Sequence, residues 1–487
     1  PSTDCWRGQA WVHLSLAVDP NGEDVVYAGS VDLFKTQNGG TTWDQLTHWY
    51  GGFNYPYVHA DHHIVAFKPG SSNEVLFGSD GGVARSTNIN TNNPTFSDRN
   101  NGYNITQFYA GAMHPDSGKN YFLAGSQDNG THKFNSAGVN ATTEVTGGDG
   151  AFCHIDQLNS DIQLTSYVRN TVYRSLNGGS SFSTIVSQSS GHFINPSDYD
   201  DTRKILYAAA GNNQVKRISG IDASITNTDL SISVGTAQVS ALKVSPYNDV
   251  LFLGITNGRI YKYSNASSGS PTLTRIDSTT MTSNGWVSSI DVGANDNELI
   301  ITYSNYGVTS IYETTNGGTS WNNKEGNLPD MPIRWCLYNP SNRDQVLAAT
   351  EVGVWSADNF GTGTTSTPTW GVTNSSLSNT RCDMLKYRSA DKMVAVATHG
   401  RGLFTTDFIV NAAPPRVSPS NFVNTTPSKF KTSLKAFAVF TASCPVIEST
   451  TNNVSCGVTA LWMLEISVII SSSTAKRPAV SIITTFL

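Results

Sequence analysis

The chain has 487 residues, a formal net charge of −6 and only 14% charged residues. It has no run of Lys or Arg, which excludes a nucleic-acid binder for want of a basic face. Its 42 glycines, 19 tyrosines and 20 phenylalanines, set among many Ser, Thr and Asn, favour short strands joined by tight turns over helices.

The sequence opens at Pro1 without Met or a signal sequence, as expected of a processed chain or a fragment. The first element spans residues 16–29 (LAVDPNGEDVVYAG). It reads as a short apolar strand, a Pro-Asn turn and a second strand ending in small residues. The same opener recurs at residues 65–78, 239–254 and 335–349, and in weaker form near Ala110, Phe152, Phe193, Val287 and Met384. The nine openers lie about 41 to 50 residues apart. A second signature, Ser/Thr-x-Asp/Asn-x-Gly-x-Ser/Thr-aromatic, occurs at 36–43 (TQNGGTTW), 175–182 (SLNGGSSF) and 314–321 (TTNGGTSW). Degenerate copies span 86–96 and 356–370. Asn-Gly supplies the positive-φ residues of a hairpin turn, small hydroxyls cap it, and the aromatic packs beneath it.

Four strands in each repeat of this length predict an all-β fold, a β-propeller of four-stranded blades. The count allows a seven-bladed ring plus blades of an upstream ring, or one larger incomplete ring. The first reading divides the chain into residues 1–100 (blades of an upstream or shared propeller), 101–410 (the propeller) and 411–487. That last part is a Pro/Ser/Thr-rich linker and a tail, read as a small β-module or disorder. The tail's apolar stretch, residues 458–470, is interrupted by Glu465 and too short for a membrane span. The six cysteines show no Cys-x-x-Cys spacing, so no zinc site is expected from them. Cys444 and Cys456 are spaced to pair, and the others read as buried thiols.

Strands in a blade alternate in direction, so the loop entering the innermost strand and the loop joining the second and third strands share one face. That face gathers Asp61, Asp80, Asp128, Asn129, the Gly-rich loop around Asp149, and Arg401. The repeat turns lie at the outer edge of the other face and read as structural. Many loops meeting on a rigid frame make such a mouth the expected ligand site. Asp149 and Asp80 are the candidate catalytic carboxylates, because glycoside cleavage needs two carboxyl groups across the scissile bond. Each is also explained as an Asp capping a tight turn. Residues 48–63 (HWYGGFNYPYVHADHH) form the most unusual loop. Trp49, Tyr55 and Tyr57 are candidate sugar-stacking rings, or pack on the adjacent blade. His59, Asp61 and His63 alternate and would share one side of an extended strand. They are read as hydrogen-bonded strand-start residues, with no metal and no cofactor assigned.

The repeat turns resemble the Asp boxes of bacterial sialidases, sortilin-type receptors and tandem-propeller glycoside hydrolases that cut xyloglucan. The runs VHADHHIVAF, FGSDGGVARS, ITQFYAG, GSQDNGT, GGDGAF and THGRGLF are similar to large secreted sortilin-like or glycosyl-hydrolase-like repeat proteins of Bacteroidetes. The resemblance covers residues 10–408. It implies a secreted or cell-surface protein that binds, and in the hydrolase case cleaves, an extracellular polysaccharide. In the xyloglucan-cleaving enzymes a Gly-Asp-x-Gly-Gly-Phe motif carries the general acid. Gly148-Asp149-Gly150-Ala151-Phe152 resembles it, one residue shorter and with Ala151 where the motif has Gly, so the resemblance implies Asp149 as acid. The partner Asp would come from the first blade of an upstream ring, which this array does not supply. The sortilin-like reading implies instead a non-catalytic module for protein or peptide ligands, and an adhesin spacer is the third expectation. None implies a membrane span or sets an oligomeric state.

Overall fold

A computed structural model describes residues 7–211, 213–282, 284–373, 377 and 379–407. The tail, its apolar stretch, the Cys444–Cys456 pairing and Cys5 lie outside the described residues. Among the described residues there are no helices, hence none long and apolar enough to cross a membrane. The strands form nine antiparallel sheets, each in sequence order from inner to outer edge. They are blades 1 to 9: residues 15–45, 62–98, 108–146, 153–188, 197–231, 239–275, 287–323, 333–372 and 382–407. Eight have four strands, and the last has three among the described residues. The opener expected at Phe193 begins instead at Ser197, because Phe193 sits exposed in the preceding loop.

Apolar clusters show which blades are neighbours. Leu123, Cys153 and Ile155 join blades 3 and 4, Leu251 and Val215 join 5 and 6, and Phe252 and Val287 join 6 and 7. Phe108 and Ala124 of blade 3 pack with Met384 and Ala397 of blade 9. Blades 3 to 9 therefore close a seven-membered ring. Blades 1 and 2 pack on each other through Tyr27, Leu33, Val65 and Phe77 and form a separate two-blade wedge. No apolar cluster among the described residues joins wedge to ring. Cys153, Cys336 and Cys382 are free and buried inside these packing layers.

Among the described residues, side chains and a short antiparallel backbone bridge between Gln107 and His399 close the ring. Arg388 is buried and makes paired hydrogen bonds to Asp391, from Nε at 2.8 Å and Nη2 at 2.6 Å. Its Nη1 donates to the carbonyls of His114 (3.2 Å) and Lys119 (2.8 Å) in blade 3. Gly402 N donates to Thr106 O at 3.1 Å across the same seam.

The three full turn repeats fold alike. Thr36, Ser175 and Thr314 accept through their hydroxyls from Gly40, Gly179 and Gly318 N (2.9, 3.0 and 3.0 Å). Asn38, Asn177 and Asn316 Oδ1 accept from the N–H four residues on. In the degenerate copy Asn88 Oδ1 accepts from Thr95 N instead, spanning a longer loop. The aromatics pack on the preceding blade: Trp321 Nε1 donates to Ile276 O at 2.9 Å and Trp370 Nε1 to Lys324 O at 3.1 Å. Trp43, in blade 1, has no preceding blade among the described residues and is 42% exposed.

Candidate functional site

The loops of one face bring Asp61, Asp80, Asp128 and Asp149 together where wedge meets ring. One carboxylate oxygen each from Asp61, Asp80 and Asp128 lies within 4.8 Å of the others. Asp149 Oδ1 accepts the backbone N–H of Asp128 at 3.0 Å. Asp128 has a φ of +57°, so its loop turns back on itself and presents the carboxyl beside Asp149.

Close backbone packing fixes that pair. Gly130 N donates to Gly148 O (2.6 Å) and Gly150 N to Ser126 O (2.8 Å), stitching the Asp149 loop to the Asp128 loop. A Cβ on Gly150 would meet Gly130 O at 2.2 Å, so only glycine allows this approach. Tyr167 lies against Gly148 and leaves no room for a side chain there either.

The junction between wedge and ring is polar. His59 Nε2 lies 3.0 Å from Asp128 O, and Asn129 Nδ2 donates to Asp80 O at 3.1 Å. His63 Nε2 lies 2.6 Å from Asp80 Oδ1. The expected alternation of His59, Asp61 and His63 along an extended strand is not what forms. Asp61 has a φ of +67°. In the first strand of blade 2, His62 pairs with Ser79 and Ile64 with Gly78, leaving His63 as the extra residue of a bulge. The bulge lets His62 turn into the core while His63 faces the mouth. Blades 6 to 9 carry the same irregularity at Ser240, Ser288, Arg334 and Asp383.

Electrostatics follow from this crowding. Burial, then the charges of Asp149, Asp80 and Asp61, push the Asp128 carboxyl up to about 7. Burial and Asp80 raise Asp61, against the opposing effect of His13. Tyr109, whose hydroxyl donates to Gln127 Oε1 at 2.5 Å, is pushed up to about 12 by burial and by Asp149, Asp128 and Asp383. Burial, helped by His59, His63 and His13, holds His62 down at about 3, so it stays neutral.

The aromatic loop is half platform, half plug. Tyr57 is exposed, as are Tyr50 and Phe53 beside it. Trp49 is half-buried and stacks on Tyr50 with ring centroids 3.6 Å apart. Asp32 Oδ1 ties the loop down by accepting Trp49 N at 2.8 Å. Tyr55 is half-buried in a tight turn with Gly52. Burial, Asp149 and Tyr50 raise the pKa of Tyr167, which places Tyr50 near the ring's second blade. Arg401 is exposed on the blade 9 loop, and no recorded contact draws its side chain into the cluster.

Sequence reasoning missed His13, Tyr109 and Tyr167. His13 precedes blade 1 with no motif around it, yet its Nε2 lies 3.4 Å from Asp61 Oδ1. A second concavity of about 420 Å³, holding Asp198, Asp201, Lys243 and Lys386, opens among the turns of the opposite face. Burial pushes Asp201 there up to about 6.

No protein-family model matches the sequence, and no curated protein matches it. Among solved structures, a GH74 xyloglucanase from Xanthomonas campestris is similar, with a TM-score of 0.52 at 16% identity. The match covers 80% of this chain and 58% of that one, so the chain spans little more than half of the enzyme. At that identity the likeness carries the propeller fold.

Proposed function

We propose that the protein is a secreted or cell-surface propeller that binds an extracellular polysaccharide along the wedge–ring junction and hydrolyses it there. The observation that carries this reading is the meeting of four carboxyl groups with exposed aromatic rings at one mouth. Tyr50, Phe53 and Tyr57 offer apolar faces on which sugar rings stack. Asp128, which keeps a proton up to neutral pH, is the group suited to protonate a leaving oxygen. Asp149, assigned the acid by resemblance, instead orients the Asp128 loop, and with Asp80 it supplies the negative charge. The oxygens of Asp61, Asp80 and Asp128 stand closer than the about 6.5–9.5 Å of an inverting pair, and nearer the about 5–5.5 Å of a retaining one. The likeness to a xyloglucanase supports a β-glucan as the class to try first.

The experiment is reducing-end release from a panel of plant and algal β-glucans. Release should fall about 100-fold or more in Asp128→Asn and Asp149→Asn, with retention on the glucan in affinity electrophoresis preserved. Tyr50→Ala should weaken retention about tenfold, corresponding to about 1.4 kcal/mol. A chain that neither cleaves nor is retained by any glucan ends this reading. Retention without cleavage leaves the non-catalytic alternative, favoured by one observation: Asp80 and Asp149 already accept hydrogen bonds from His63 and Asp128.

A further inference from the structure

His13, His63 and Asp80 each offer one ligand-type atom, and these atoms all lie within 4.8 Å of one another. Asp80 belongs as well to the carboxylate triple with Asp61 and Asp128. His13 and Asp61 are joined by the 3.4 Å contact. The residues come from separate pieces of the wedge: the segment before blade 1, the connection into blade 2, its bulge, and the loop between its second and third strands.

Two observations point to a cation. The first is charge. The groups acting most strongly on Asp128 are three other carboxylates, and those acting on Asp61 are three histidines and Asp80. Among the described residues, the ion pairs of Asp61 and Asp80 are to His13 and His63, and none is to Lys or Arg. The second is His13. It is more than nine-tenths buried, and its Nε2 faces Asp61 Oδ1. Its 3.4 Å separation from Asp61 is long for a charge-assisted hydrogen bond, which spans about 2.7–2.9 Å. It matches the edge of a tetrahedron whose metal–ligand bonds are about 2.0–2.1 Å, which is about 3.3 Å.

We propose that His13, His63 and Asp80, with Asp61 at the fourth position, bind one divalent transition-metal ion of the zinc class. Two imidazoles with carboxylates select such an ion over calcium or magnesium, which take all-oxygen sets. Two carboxylates balance its charge. Binding puts the ion at Nε2 in place of the His63–Asp80 hydrogen bond, the imidazole carrying its single proton on Nδ1, and their 2.6 Å contact opens by about 0.7 Å to the tetrahedral edge. His63 is 45% exposed and Asp80 26%, so both side chains have room to move. The bulge at His63, which blades 6 to 9 share at the same place, lets His62 and His63 serve core and site side by side. The ion clamps blade 1 to blade 2 at the rim of the mouth, and its binding does not depend on whether the mouth takes a glycan.

The test is zinc titration of the full, chelator-stripped chain by calorimetry, with elemental analysis of the product and no glycan present. One zinc per chain is expected, with a rise in melting temperature. His63→Ala and Asp80→Asn should each weaken binding about tenfold or more. Since His63 is half-exposed, an unchanged circular dichroism spectrum will show that its replacement leaves the blades intact. Cobalt substitution should give a d–d absorption band that His63→Ala alters. Substoichiometric uptake, or uptake unchanged in both variants, overturns the site. Calcium bound in preference to zinc and indifferent to His63→Ala also overturns it, moving the cation to Asp61, Asp80 and Asp128.

Discussion

The ring strand Val239–Val244 and the wedge strand Ser15–Asp19 are the innermost strands of their blades, yet their burial differs. Five of the six residues of the first are buried, because a blade covers each side. In the second, Leu16 and Val18 are exposed, with Trp11 and Leu14 beside them. The other side of the wedge is bare too, at Ile64 and Leu76. Similar sequence makes a core layer in one place and a naked apolar face in the other. The difference is the neighbour. A blade's stability is shared with the blades on either side, as in other repeat arrays.

That contrast can be broken or sharpened by substitution. Phe252→Ala, between blades 6 and 7, should cost about 3–5 kcal/mol by leaving a cavity in a layer covered on both sides. The denaturant midpoint of the ring reports it. Arg388→Met at the seam should cost about 3 kcal/mol, since it orphans two carbonyls and Asp391. Arg388 holds the Asp391 carboxyl down at about 2. That contribution is therefore complete above the ordinary carboxylate value of about 3.9 and fades as pH falls from about 4 towards 2. The gap in unfolding midpoint between wild type and Arg388→Met should narrow over that interval, and a gap that widens would contradict the seam.

At the junction, Asn129→Ala should cost about 1 kcal/mol. It should appear as faster amide exchange in the wedge with the ring midpoint unchanged. If the ring midpoint falls equally, wedge and ring are one cooperative unit and the comparison fails. Leu16→Ser should change stability by about 0.5 kcal/mol or less. A larger loss would mean that the wedge face is covered in solution.

The frame was legible in the sequence because turns and strand openers are local chemistry. Gly-Gly after Asn at 38–40, 177–179 and 316–318 needs no partner to declare a hairpin. The placement of Asp80, Asp128 and Asp149 on one face followed from strand alternation alone. What depends on neighbours was hidden. His13 is a lone residue in sequence and becomes part of the cluster only when blade 1 packs on blade 2. The bulge at His63 breaks the period-two reading, since one extra residue re-aims everything near it. Arg388 and Asp391 look like a surface pair until the ring closes over them. Trp49 and Trp43 carry the same side chain, yet only the fold tucks one under a loop and leaves the other bare.

The seam at Arg388 has a consequence for how such chains are assembled. Since blade 9 meets blade 3 through side chains and a few backbone contacts, the first and last strands of the ring run next to each other without being interwoven. Residues 106 and 402 touch there. A gene that joined these ends and was cut between any other two blades would encode the same circle. Which blade is read first is then an accident of punctuation, while the order around the circle is what the packing layers recognise.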